Sequence, residues 1–121
     1  MITDIKRLKK IADILNSEGT ILGLYSFNDE LYLASYLTNK TGMVYYSTTK
    51  EKLLQYLQNK IILKQLYLEC DDFIVSREFR NDTVTFFKQD FVDLLQCGDK
   101  YYNELSDSLK NSKIEDLING S

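Results

Sequence analysis

Apolar residues recur at helical spacing from the first turn of the chain: Ile5, Leu8, Ile11, Ala12 and Leu15 fall within one arc at 100° per residue, with Lys6, Lys9, Lys10 and Asp13 opposite. This spacing predicts an amphipathic helix over residues 2–17. After Glu18-Gly19 the pattern changes. Residues 20–26, 30–37 and 43–47 carry strand character, separated by Phe27-Asn28-Asp29 and by a Thr38 to Gly42 stretch rich in turn formers. In the middle stretch Leu31, Leu33, Ser35 and Leu37 share one face and Tyr32, Ala34 and Tyr36 the other, so neither face is plainly wet. A β-meander with helices on one face accounts for this alternation.

Thr48-Thr49-Lys50-Glu51 then matches a capping box, in which a hydroxyl takes an orphan amide of the first helical turn and the acid three positions on bonds back. The helix it starts carries Leu53, Leu54, Tyr56 and Leu57. Residues 61–68 either extend that helix past Asn59-Lys60 or form a separate turn, and periodicity leaves both open. Residues 73–79 and 83–87 predict a second hairpin turning at Arg80-Asn81-Asp82. Residues 89–96 and 99–109 predict helices, with Gly98 at positive φ between them and Asp99 capping the second. Residues 111–121 are expected to fray, unless Ile114 and Leu117 dock a final turn.

The expected fold is therefore α+β: an N-terminal helix, an antiparallel three-strand meander, a helix, a second hairpin and C-terminal helices, all in a single domain over 1–121. Chain length and a hydrophobic content of 44% suffice for one core. No internal repeat or low-complexity linker divides it.

Residues 20–78 carry a resemblance. The run Tyr25-Ser26-Phe27-Asn28-Asp29-Glu30-Leu31-Tyr32-Leu33, then Gly42-Met43-Val44-Tyr45-Tyr46-Ser47, then the capped helix with Leu53 and Leu57 and the pair Ile62-Leu63, resembles a small uncharacterised bacterial α+β domain family. The resemblance implies a small sheet plus helix and brings no activity or reactive residue with it.

Candidate chemistry is sparse. With no histidine and two cysteines, the chain cannot build a Ser-His-Asp or Cys-His arrangement or a His-based metal site. Cys70 and Cys97 lie far apart in sequence, belong to no two-cysteine motif, and read as small buried residues. The glycines at 19, 23, 42, 98 and 120 are isolated, so no phosphate-cradling loop is formed. The densest carboxylate group is Glu69, Asp71 and Asp72, followed by Glu78. It supports a reading as a divalent-metal-dependent enzyme or ligand-binding domain, although turn chemistry before a strand explains the same residues. Asp29-Glu30 reads as turn chemistry as well.

Charge divides the chain. Residues 1–64 carry a net +3 and residues 65–121 a net −6, within an overall charge of −3. The acidic second half disfavours a phosphate backbone and suits a basic protein, while Lys6, Arg7, Lys9 and Lys10 read as the solvated back of the first helix. Nine tyrosines add amphipathic surface, with Tyr25, Tyr32, Tyr36, Tyr45 and Tyr46 on the meander and Tyr101 and Tyr102 later.

These features point to a non-catalytic protein-binding module, of the kind that inhibits a basic nucleic-acid-binding protein, as immunity proteins, antitoxins and phage anti-defence proteins do. Its expected contact residues are Tyr32, Tyr36, Tyr46, Asp71, Asp72 and Glu78, with no cofactor and no metal. A tyrosine patch would equally serve a homodimer. Membrane insertion and direct nucleic-acid binding are not expected. With no secretory pattern at Met1 to Lys10, the chain is expected in the cytoplasm with reduced thiols. The richness in Lys, Asn, Ile and Tyr matches an AT-rich bacterial or mobile-element gene.

Overall fold

In a computed structural model, which describes residues 5–38, 42–76 and 87–119, five strands form one antiparallel sheet in sequence order. They are β1 (Lys9–Asn16), β2 (Thr20–Phe27), β3 (Glu30–Tyr36), β4 (Met43–Thr48) and β5 (Phe73–Ser76). Two helices, α1 (Lys50–Leu57) and α2 (Leu63–Leu68), lie between β4 and β5, and α3 (Ile114–Asn119) follows a run of short 3-10 turns. The α+β class and the antiparallel sheet are those expected; the order of elements is not.

The expected N-terminal helix is a strand. Among its described residues only Ile5–Arg7 forms a helical turn, of the 3-10 type, and β1 then pairs with β2. The ladder slips between Lys10 and Ala12, between Asp13 and Leu15, and again before Asn16. Each bulge adds a residue to one strand and resets its alternation, so the consecutive residues Ile14 and Leu15 are both buried. The bulge between Asp13 and Leu15 thus sets Ala12 and Leu15, three residues apart, in the same core cluster, while Ile11 is 45% exposed and Ile5 and Leu8 lie before the strand.

The meander follows the sequence closely. Asn28 and Asp29 both take positive φ, 49° and 65°, and close a two-residue turn across the Phe27–Glu30 pair. A turn of this kind suits the twist of antiparallel strands. The helix start is displaced by one residue from the expected box. Thr49 is the cap, its Oγ accepting the Lys52 N–H at 3.1 Å, so Glu51 is not at the reciprocal position. Asn59 at φ 65° separates α1 from α2, which settles the alternative left open for residues 61–68. Phe73–Ser76 forms β5 beside β4, and the expected turn at Arg80-Asn81-Asp82 lies outside the described residues.

The helices expected over 89–96 and 99–109 are instead 3-10 turns at Lys88–Asp90, Val92–Leu94 and Tyr102–Glu104 joined by turns and bends. Distant partners take the backbone groups that a helix would use. Thr38 N–H donates to Leu94 O at 2.7 Å, Gln96 N–H to Tyr36 O at 3.0 Å, and Lys64 N–H to Gly98 O at 2.9 Å. Cys97, not Gly98, adopts positive φ (62°). Gly98 is needed for closeness: a Cβ there would stand 3.0 Å from the Leu95 Cβ and 3.1 Å from its carbonyl oxygen. In the tail, Ile114 and Ile118 dock α3 in the core, while Leu117 faces out.

Both faces of the sheet are covered, which is why β3 shows no wet side. One face carries Leu22, Leu24, Leu33, Val44 and Tyr46 against Leu53, Tyr56 and Leu57 of α1, Leu63, Leu66 and Tyr67 of α2, and Phe91, Leu95 and Ile114. The other holds a smaller cluster of Tyr32, Ala34 and Tyr45, closed by Leu8 and Ile5 and by the half-buried Tyr25, Phe27, Met43 and Ile74. Tyr25 and Tyr45 meet edge to face on this side, 5.5 Å between ring centroids.

Candidate functional site

Three connections meet at one end of the sheet: the β2–β3 turn, the β4–α1 junction, and the segment from α2 to β5. They enclose a cleft of about 790 Å³. Asp29 and Glu30 line it from the turn, Ser47 to Lys50 and Lys52 from the junction, and Glu69 to Asp72 from the third segment. Five carboxylates thus face two lysines around one concavity.

Ser47 organises the acidic wall. Its Oγ accepts the backbone N–H groups of both Asp71 and Asp72 at 3.1 Å, and its own N–H donates to Asp72 O at 2.9 Å. One β4 residue therefore fixes the entry into β5 and holds two acidic residues against the cleft. Tyr32 lies opposite Ser47 in the β3–β4 register. Its hydroxyl donates to Asp72 Oδ2 at 3.1 Å and lies 3.5 Å from Glu30 Oε2. Burial, and then the neighbouring Asp72 and Glu30 carboxylates, push the Tyr32 phenol far above its ordinary range. It stays protonated and donates, so the floor of the cleft is a neutral hydroxyl braced by carboxylates. On the rim, Lys52 Nζ donates to Glu69 O at 3.4 Å.

The cleft brings together three of the expected contact residues, Tyr32, Asp71 and Asp72, with Tyr32 as a buried floor at 1% exposure rather than as a surface ring. Tyr46 is corrected outright as a surface group. It points into the helix-covered face, is wholly buried, and shares a 2.7 Å hydrogen bond with the equally buried Ser35. Tyr36 is half-buried and lines a separate shallow cavity of about 270 Å³ with Glu18 and Gln96. Glu78 lies outside the described residues. Of the other tyrosines, Tyr101 is exposed, and Tyr102 packs edge to face on Tyr56.

Asp29 and Glu30 enter the site although their sequence context suggested turn chemistry alone. The signal was present in the register: the tight turn at 28–29 fixes Glu30 and Tyr32 on β3, and counting across to β4 sets Tyr32 against Ser47. Glu69 joins them from the end of α2. Lys6, Arg7, Lys9 and Lys10 are exposed, but on a 3-10 turn and a strand rather than on a helix; Lys10 pairs with Asp13 at 2.7 Å.

Cys70 and Cys97 are free thiols, and burial raises both above the usual thiol range; at Cys70 the nearby Lys88 ammonium opposes part of that rise. Among the described residues no three Asp, Glu, Cys or His side chains are placed to hold a metal ion, and no helix is long and apolar enough to cross a membrane. No protein-family model, no curated protein and no solved structure matches the chain.

Proposed function

We propose that the chain is a non-catalytic protein-binding module whose cleft receives a basic segment of a protein partner. The observation that carries this reading is the convergence of Asp29, Glu30, Glu69, Asp71 and Asp72, from three separate connections, on one concave wall. Fixed carboxylates around a concavity favour an incoming Lys or Arg by Coulomb attraction and by charge-assisted hydrogen bonds. The Ser47 anchor and the Tyr32–Asp72 bond support it further, because a wall that is already ordered loses little entropy on binding. The net acidity of residues 65–121 extends the same field beyond the cleft.

A partner that itself binds nucleic acid fits this chemistry, since its basic surface would be covered by an acidic one. Inhibition of such a protein, in the manner of an immunity protein, an antitoxin or a phage anti-defence protein, is the biological role we infer.

The test is affinity capture from the source cell or its host, followed by titration of the purified partner against the native chain and a Asp29→Asn, Glu69→Gln, Asp71→Asn variant. All three side chains are exposed, so the variant is expected to keep its fold. Affinity should fall by about tenfold or more, and binding by the native chain should weaken steeply with added salt. Equal affinity of the two proteins, or binding indifferent to salt, would remove the cleft as the contact site.

A further inference from the structure

Phe87 is the most exposed of the large apolar side chains among the described residues, at 66%. Its backbone is nevertheless fixed. Asp90 closes a turn on it: the Phe87 N–H donates to Asp90 Oδ2 at 2.9 Å, and the Asp90 N–H donates to Phe87 O at 3.0 Å. The next residue ties this turn to α2. Lys88 O accepts the Tyr67 hydroxyl at 2.7 Å, and Lys88 Nζ donates to Leu68 O at 3.0 Å and to Cys70 O. The Tyr67 ring also meets Phe73 edge to face, 6.1 Å between centroids, and Phe73 follows Asp72 directly. Phe87 therefore stands at the C-terminal end of α2, beside the acidic wall that Glu69, Asp71 and Asp72 present to the cleft. Leu68, the last residue of α2, is 43% exposed at the same end.

We propose that Phe87 and Leu68 form an apolar shelf that continues the cleft, and that the partner's basic segment carries a large apolar side chain which rests on it. This inference rests on the cleft's being the site of a basic segment and specifies the remainder of that segment. Exposed carboxylates give steering and specificity more than affinity, because water and salt screen them. Tight binding needs apolar burial beside them, and the end of α2 supplies it. Charge complementarity commits the shelf to the same occupant: a Lys or Arg held at Asp71 brings its chain neighbours to the end of α2, where Phe87 and Leu68 are exposed. An aromatic whose backbone is already fixed loses little further freedom when it is covered, and aromatic anchors flanked by polar contacts concentrate the binding energy of protein interfaces. The segment recognised is thus one of Lys or Arg with a Leu, Met, Phe or Trp close by, as against one of basic residues alone.

The test is selection of random displayed peptides on the native chain. The selected peptides are then titrated against the native chain, Phe87→Ser, Leu117→Ser, and the Asp29→Asn, Glu69→Gln, Asp71→Asn variant. Every substituted side chain is exposed, so each variant is expected to keep its fold. Leu117, 48% exposed on α3 and not part of the cleft lining, controls for loss of apolar surface in general. Selected peptides should combine Lys or Arg with a large apolar residue. Phe87→Ser should weaken them about tenfold or more with their salt dependence unchanged, and Leu117→Ser should leave them as they are. Basic peptides that lack an apolar residue and bind Phe87→Ser as tightly as the native chain overturn the shelf and leave the cleft standing. Apolar peptides indifferent to salt and to the carboxylate variant overturn the cleft, and the shelf's role beside it falls with it. An equal loss with Leu117→Ser overturns the shelf as a specific contact, and a selection that enriches no peptide removes both.

Discussion

Tyr46 and Tyr56 are both wholly buried on the helix-covered face, and their hydroxyls are in opposite circumstances. Tyr46 shares its hydrogen bond with Ser35, whereas the Tyr56 hydroxyl has no partner among the described residues. Removing one member of a buried pair strands the other, while removing an orphan relieves a desolvation penalty. Tyr46→Phe should therefore lower stability by about 1–2 kcal/mol, and Tyr56→Phe should leave it unchanged or raise it. Urea unfolding of both variants, with Ser35→Ala and the Ser35→Ala, Tyr46→Phe pair to complete a cycle, checks this. The double variant should recover part of the single-site loss, and strict additivity would show that the pair is not coupled. Neither circumstance could be read from the sequence. Tyr45 and Tyr46 look alike as a dipeptide, yet strand alternation sends them to opposite faces, and which face receives the helices is decided by residues far along the chain.

At the level of the elements, the start of α1 offers a test at single-residue spacing. Thr49 Oγ accepts the Lys52 amide, whereas Thr48 Oγ1 is buried with no hydrogen-bond partner among the described residues. Thr49→Ala should cost about 1 kcal/mol, and Thr48→Val should be neutral or stabilising. Equal losses at both positions in thermal unfolding would mean that the cap is shared. The three meander strands and α1 were legible because their signals are local: alternation, an Asn-Asp turn, a hydroxyl before an apolar helical face. β1 was not, because the slips in its ladder reset the alternation that marks a strand, and residues 88–109 were not, because their backbone partners are Tyr36, Thr38 and Lys64, distant in sequence. The cleft was half legible. Asp71 and Asp72 stand out in any reading, but their union with Asp29 and Glu30 is a product of strand register.

The molecule as a whole should be sensitive to alkali. Burial is the leading cause that pushes the phenols of Tyr32, Tyr46, Tyr56 and Tyr67 well above the ordinary value. Each native phenol keeps its proton where the unfolded chain has lost it, so this contribution is fully present below about pH 10 and falls away as pH rises above that. Stability should thus be insensitive to these four groups at neutral pH and decline above about pH 10, with ionisation of these four phenols and loss of far-ultraviolet circular dichroism appearing together. Four phenolates formed near pH 10 with the sheet intact would contradict the burial described above. β1 is an edge of the sheet, and its Asn16 N–H donates to Leu109 O, a pairing that has a consequence in time as well. During synthesis the strands of the meander can pair as they emerge, but the cover for the outer edge of β1 is made long after β1 itself. At about 5–20 residues per second, that edge waits on the order of 5–20 s on the ribosome for the residues that close it. Through that interval, Lys9, Lys10 and the bulge beside them are the protection that the nascent chain already carries.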